Sequence, residues 1–330
     1  LILIVPGLSF AQAAGNGRVT VERTPDGGLQ PQALVDAKGT IHLIYYKGDP
    51  AHGDLFYVHR RSDQSAFSEP VRVNNVPNTA IAMGTIRGGQ ISISGDGMIH
   101  VAWNGPMVTP KTPSPMFYAR LKPSSNVFEP QRNLMTSTLS LDGGGTVAAD
   151  ANGNVLVAWH ARPGDSPQGE ANRKLFVARS TDHGATFGAE HAAFDQPTGA
   201  CACCGTRAFF DPKGTAFILY RAATGGTDRS LYVLQSNNQG QSFTGRALHP
   251  WKINACPMSS ASLCDSPSGP IAAWETAGQV YFAPVAIGSS DQPTSVPGRS
   301  GDRKHPVVSA SPDGTTLLAW TEGTGWQKGG

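Results

Sequence analysis

One phrase recurs six times along the chain, and it dictates the architecture: a polar turn carrying glycine, then an apolar strand ending on an aromatic residue. The copies are DAKGTIHLIYY (36–46), SGDGMIHVAW (94–103), DANGNVLVAW (150–159), DPKGTAFILY (211–220), DSPSGPIAAW (265–274) and SPDGTTLLAW (311–320). Their turn glycines stand 45 to 61 residues apart. A period of about 50 residues that holds several strands marks a β-propeller blade. The repeats predict an all-β, six-bladed β-propeller whose last blade is incomplete in this chain.

Composition fits many short strands joined by tight turns. The 330 residues include 39 glycines and 25 prolines, too many for a helical protein, and no segment sustains a helical period. A propeller is one closed unit, so a single domain over 17–330 is expected. The net charge of +2 comes without a basic stripe or charge block, which excludes a nucleic-acid partner from the expectations. The first apolar run is too short to cross a bilayer, so no membrane span is expected. Residues 1–13 read as the remnant of a signal peptide, with Ala11, Gln12 and Ala13 forming a small-x-small cleavage site. That reading predicts a secreted or periplasmic protein; the alternative is an ordinary first strand. Residues 17–24 (GRVTVERT) alternate like a strand and are expected to join the last blade as its outer strand.

A third strand per blade is expected at 54–60, 115–121, 174–180, 230–236 and 279–285. After two of these stand S-x-D-x-G-x-T-F boxes: a full copy from Ser180 through Asp182 and Gly184 to Phe187, and a second from Ser236 to Phe243 with Asn238 in the acid's place. The acid or amide accepts backbone N–H groups within the turn, the glycine supplies positive φ, and the phenylalanine plugs the blade. These are read as structural staples rather than as a metal or sugar site. Strand counting puts them on the far face. The mouth then collects the starts of first strands and the ends of second strands, where binding sites of toroidal folds lie.

With this spacing and these boxes, the chain resembles the sialidase superfamily of six-bladed Asp-box (BNR-repeat) propellers. It is similar in particular to uncharacterised bacterial secreted sialidase-like proteins that carry a C-x-C-C cluster and a C-P-M segment, here Cys201, Cys203, Cys204 and then Cys256, Pro257, Met258. The resemblance implies a carbohydrate-active protein, a glycoside hydrolase of exo-α-sialidase type or a glycan binder, taking a carbohydrate or other small anionic ligand. Sialidases clamp a carboxylate with three arginines and use a tyrosine nucleophile, a glutamate and an acid/base aspartate. Arg87, Arg207 and Arg221 are the candidates for the clamp, Glu275 and Asp49 for the carboxylate pair, and Tyr46 for the nucleophile. The chain departs from the family in its first blade. Gly28-Leu-Gln30-Pro-Gln32 stands where a sialidase has arginine, and glutamine cannot reproduce a bidentate guanidinium–carboxylate pair.

Four of the five cysteines crowd two neighbouring repeats. Three readings stay open. Disulfides would tie blades four and five in an oxidising compartment. A soft-metal site would take copper or zinc on Cys201, Cys203, Cys204, Cys256 and Met258, with His160 or His305 completing it. A redox pair would use thiols of lowered pKa near Arg207. Beside the glycan reading, the alternatives are therefore a metal-binding or thiol-redox propeller, and a non-catalytic binding scaffold.

Overall fold

The computed structural model describes residues 20–82, 88–107, 109, 113–139, 144–164, 166–289, 292–298 and 301–323. It is all-β apart from two single turns of 3-10 helix, Pro25–Gly27 and Glu170–Asn172. The strands form a β-propeller with five blades of at least four strands, followed by a two-stranded sheet. In each of the five blades four strands pair in chain order from the axis outward, as antiparallel neighbours joined by short turns do.

Blade one runs from Leu29–Val35 through Ile41–Asp49 and His52–Arg60 to Val71–Arg72. Blade two holds Gln90–Ile93, Ile99–Asn104, Met116–Leu121 and Arg132–Asn133. Blade three holds Thr146–Ala149, Val155–Pro163, Lys174–Ser180 and His191–Ala192, and the short Thr138–Leu139 pairs with the end of its second strand. Blade four comprises Arg207–Phe210, Ala216–Arg221, Leu231–Ser236 and Thr244–His249. Blade five comprises Ala261–Cys264, Ile271–Thr276, Gln279–Pro284 and Thr294–Ser295. The two-stranded sheet is Lys304–Ala310 with Thr316–Thr321.

The recurring phrase is the hairpin between first and second strands, and its residues explain its recurrence. Asp36 Oδ1 accepts from the backbone of Lys38 and Thr40, Asp150 Oδ1 from Asn152 and Asn154, and Asp211 Oδ1 from Lys213 and Thr215. The second strand then runs through the middle of the blade, so both of its faces are covered and it reads as a continuous apolar run. Its terminal aromatics Tyr46, Trp103, Trp159, Tyr220 and Trp274 are all buried. The packing clusters mix residues of adjacent blades: Trp159 with Met116 and Tyr118, Trp274 with Phe217 and Leu219.

First strands line an axial cavity of about 1040 Å³, to which Gln32, Ile91, Thr146, Arg207, Ala261 and Val307 contribute, one from each sheet. The two-stranded sheet packs beside blade five but is less covered: Leu317 is 71% exposed and Trp320 only half-buried. One expectation fails here. Residues 20–24 form no strand, and Glu22 instead accepts from Arg60 of blade one at 2.8 Å. The alternation in that segment reflects no sheet pairing; Val21 is 91% exposed.

Candidate active site

Strand register decides which end of each blade is the mouth. In blade three Ser180 lies opposite Val155 and Lys174 opposite Ala161, so the box after Ser180 sits at the end away from His160. Blade four repeats this, with Ser236 opposite Ala216 and Leu231 opposite Arg221. The boxes behave as staples. Asp182 accepts from the hydroxyls of Ser180 and Thr186 and the backbone of Thr186, and these bonds outweigh burial and hold its carboxyl well below the usual range. Asn238 makes the corresponding bonds to Ser236 and Ser242.

At the mouth Arg207 opens the first strand of blade four and points into the channel. It borders a second cavity of about 320 Å³ together with Gln30, Gln32, Gln90, Ser260 and His305. Among the described residues its only hydrogen bond runs from Nη1 to the Thr206 carbonyl at 3.0 Å, and no carboxylate there pairs with it. It is half-buried, and the partial loss of hydration by the channel walls pushes its pKa down, to about 10. The Ser260 hydroxyl is buried beside it with no hydrogen-bond partner among the described residues. This mouth holds an unneutralised guanidinium and a hydroxyl with nothing to bond, a pair of groups suited to an anionic oxygen. The glutamines of blade one are used differently: Gln32 accepts from the backbone of Ile91 at 2.6 Å and donates to Gln90, stitching blade one to blade two.

Glu275 ends the second strand of blade five and is buried. Its Oε1 accepts from Ser260 N at 2.7 Å and its Oε2 from His305 N at 3.2 Å. Burial pushes its pKa up to about 7, against the lowering effects of Lys304 and these N–H donors. Near neutral pH it can therefore carry a proton. It borders a third cavity of about 200 Å³ with Trp251, Cys256, Arg303 and Lys304. Its partners Ser260 and His305 border the Arg207 cavity, so the carboxyl lies between the two. The same burial, with the charge of Lys304, lowers the pKa of His305.

Arg221 is not a mouth clamp. It is buried, stacks over Trp251 and donates to Ser259 Oγ (2.6 Å), the Arg229 carbonyl (2.6 Å), the Glu275 carbonyl (2.7 Å) and Thr276 Oγ1 (3.2 Å). It thereby locks blade four to blade five. Beside it lie the cysteines. Cys203 and Cys256 form a disulfide between the loops that enter blades four and five. Cys201 and Cys204 are buried thiols, and their sulfurs and that of Cys203 lie within 4.8 Å of one another. Among the described residues no histidine joins that group; His160 is buried within blade three, opposite Leu175. Met258 contributes its carbonyl to Lys304 Nζ at 3.3 Å. Cys264 stands apart on the first strand of blade five.

The other sequence candidates do not converge here. Tyr46 is fully buried in blade one, its hydroxyl donated to the Asp49 carbonyl, and burial raises its pKa to about 12. Asp49 is exposed in the hairpin after it, capping Ala51 N, and borders none of the three cavities. Arg87 lies outside the described residues. Ser259 and Ser260, which link the sulfurs, Arg221, Glu275 and the mouth, escaped the sequence reading. Their position directly after C-P-M was the available signal.

No protein-family model and no curated protein matches this chain. Its fold is shared with solved propellers. An α-L-arabinanase of Penicillium chrysogenum aligns over 89% of this chain and 93% of its own, at TM-score 0.57 and 13% identity. A Trypanosoma rangeli sialidase aligns over 89% of this chain and 53% of its own, at TM-score 0.59 and 10% identity. A family PL25 ulvan lyase aligns over 92% and 78%, at TM-score 0.52 and 13% identity. At such identities the likeness is one of fold.

Proposed function

We infer that this is a glycan-recognising propeller that binds an acidic sugar at its mouth, with Arg207 on the sugar's carboxylate or sulfate and Glu275 as the proton-carrying group behind it. The observation that carries this reading is Arg207: a guanidinium inside the axial channel without a carboxylate partner among the described residues. A half-buried charge of this kind gains from an anion that neutralises it. The solved neighbours of this fold include a sialidase, an arabinanase and a polysaccharide lyase, which supports a sugar as the ligand class. Within this reading the two-stranded sheet is the sixth blade, and residues 1–13 are the export signal of a secreted or periplasmic protein. The clamp differs from that of a sialidase, because Gln30 and Gln32 serve inter-blade bonding and Tyr46 is turned inward.

Calorimetric titration with uronic-acid-ended and sialic-acid-ended oligosaccharides tests the reading. Binding by the wild type should weaken by about tenfold or more in Arg207→Gln, as expected for loss of a charge-assisted bond. Equal binding by both proteins sinks the assignment. Should turnover be found, Glu275→Gln should abolish it, and retained turnover removes Glu275 from the chemistry.

A further inference from the structure

The four clustered cysteines are left over by the glycan reading, and their arrangement is more specific than a cross-link requires. Cys201 and Cys204 stand at i and i+3 in a turn closed by Cys204 N donating to the Cys201 carbonyl at 3.4 Å. The C-x-C-C cluster thus contains a C-x-x-C. Cys201 Sγ lies 3.1 Å from Cys204 Sγ and 3.5 Å from Cys203 Sγ, which is itself bonded to Cys256. The Cys201 thiol therefore sits in van der Waals reach of a disulfide sulfur, and Cys204 stands behind it.

Charges around the sulfurs favour a thiolate. Arg221 is buried and all four of its hydrogen-bond acceptors are neutral, so its charge lacks a carboxylate within ion-pair distance among the described residues. Ser259 Oγ accepts from Arg221 and donates to Cys204 Sγ at 3.3 Å, and Ser259 N donates to the same sulfur at 3.4 Å. Arg229, paired with Glu170 at 2.7 Å, adds a second guanidinium nearby. Burial alone would raise the Cys204 pKa, but the bond from Cys201, the Arg221 charge and the Ser259 donors together lower it, while Cys201 is pushed up as the proton donor of the pair. The Cys204 thiolate is thereby placed to act as base, taking the proton of Cys201 as Cys201 becomes the attacking thiolate.

We propose that these four cysteines form a thiol–disulfide exchange site, in which the Cys201/Cys204 dithiol and the Cys203–Cys256 disulfide interconvert. Cys201 passes its proton to Cys204 and attacks Cys203 Sγ; the Cys201–Cys203 bond forms as the Cys203–Cys256 bond breaks, and Cys256 leaves as thiolate. Cys204, its proton passed to Cys256, then attacks Cys201 Sγ and expels Cys203. The products are a Cys201–Cys204 disulfide and a Cys203/Cys256 pair that shares one proton and one negative charge, as the starting dithiol did. No external oxidant is consumed. Cys203 and Cys256 are half-buried whereas Cys201 and Cys204 are buried, so the outer pair is the one that meets an external thiol or disulfide. Cys256 is released into the cavity that Glu275 borders.

The test equilibrates the intact protein in reduced and oxidised glutathione mixtures, quenches in acid, alkylates, and maps the pairing by mass spectrometry. Chains holding a single disulfide should divide between Cys203–Cys256 and Cys201–Cys204. The second species should vanish in Cys201→Ser and in Cys204→Ser, with thermal melts establishing that these variants fold. A wild type whose single-disulfide chains carry only Cys203–Cys256 at every mixture overturns the proposal, and so does purified protein with four unbridged cysteines and one equivalent of bound copper or zinc. The wild-type measurement decides even if a variant does not fold.

Discussion

Blades two and three differ from blades four and five in how they bury charge. In the former, the buried charges find partners close by. Arg120 pairs with Glu129 at 2.7 Å and donates to the His183 carbonyl; Arg132 caps the Gly184 and Ala185 carbonyls. Glu190 gathers the Thr136 hydroxyl and the backbone N–H groups of Thr136, Ser137 and Thr138, which overcome its burial and hold its pKa at about 2. His100 is fixed between Ser94 and Tyr118. In blades four and five three charges are incompletely matched among the described residues: Arg207 without a carboxylate, Arg221 on neutral acceptors, and Glu275, raised toward neutrality, with only Lys304 at 3.8 Å. Complete satisfaction is what a staple needs; incomplete satisfaction leaves bonding capacity for a ligand or a reaction. The contrast directs attention to the mouth of blades four and five, and away from the blade-one candidates Tyr46 and Asp49.

The strongest challenge to the contrast is Arg221→Met. If Arg221 is the lock between blades four and five, its loss strands the Arg229 and Glu275 carbonyls and Ser259, and urea unfolding should show a loss of about 3–5 kcal/mol. A loss below about 1 kcal/mol would make it as dispensable as a surface arginine.

Opposite responses to pH come next. The Glu275 pKa is raised when folded, so the folded protein holds a proton that the unfolded chain releases between about pH 4.5 and 7. Its contribution is complete below that window and declines across it by about 3 kcal/mol, and Glu275→Gln should flatten the decline in urea melts taken at stepped pH. His100 is lowered by burial to about 3, so the unfolded chain takes up a proton that the folded one refuses; stability contributed by its neutral form is lost as pH falls below about 6.5. Replacing His100 with Gln should remove that acid loss, and an unchanged acid limb would show that other groups dominate it.

Gly184→Ala probes the staple side. Gly184 has φ +74°, and a Cβ there would run into the Tyr118 hydroxyl of blade two. A cost of about 2 kcal/mol is expected from strain and displacement of Tyr118, read as a lower melting temperature. The smallest stability effect belongs to Arg207→Gln, within about 1 kcal/mol or slightly stabilising, because no ion pair is broken. A large loss there would mean Arg207 is structural after all and would weaken the proposed sugar site.

Much of the fold was legible because each blade repeats the same local solution. Aspartate or serine, a turn, glycine and an aromatic-ended strand are short-range features, and each copy confirms the others. The strands expected at 54–60 and 174–180 lie within His52–Arg60 and coincide with Lys174–Ser180. Of the segment 17–24, residues 17–19 lie outside the described residues, and 20–24 misled because alternation over a few residues states that a strand is possible, not that a partner edge is there to pair with it. The site was legible only as a set of mouth positions. Arg207, Arg221 and Glu275 share the mouth end of two blades, yet they differ in role according to what surrounds them. Arg221 meets four acceptors and becomes a lock, while Arg207 meets one and stays available.

The sequence by itself therefore determined the propeller, the blade spacing, the far-face staples and the crowding of cysteines into two neighbouring blades, all of which depend on contacts within about 15 residues or on a regular repeat. Tertiary structure alone decided that Cys203 pairs with Cys256, 53 residues away, that Ser259 bridges Arg221 to Cys204, and that Glu275 sits between two cavities. Those outcomes turn on how adjacent blades are rotated about the axis, because burial, pKa and reactivity are set by neighbours in space that no local pattern encodes.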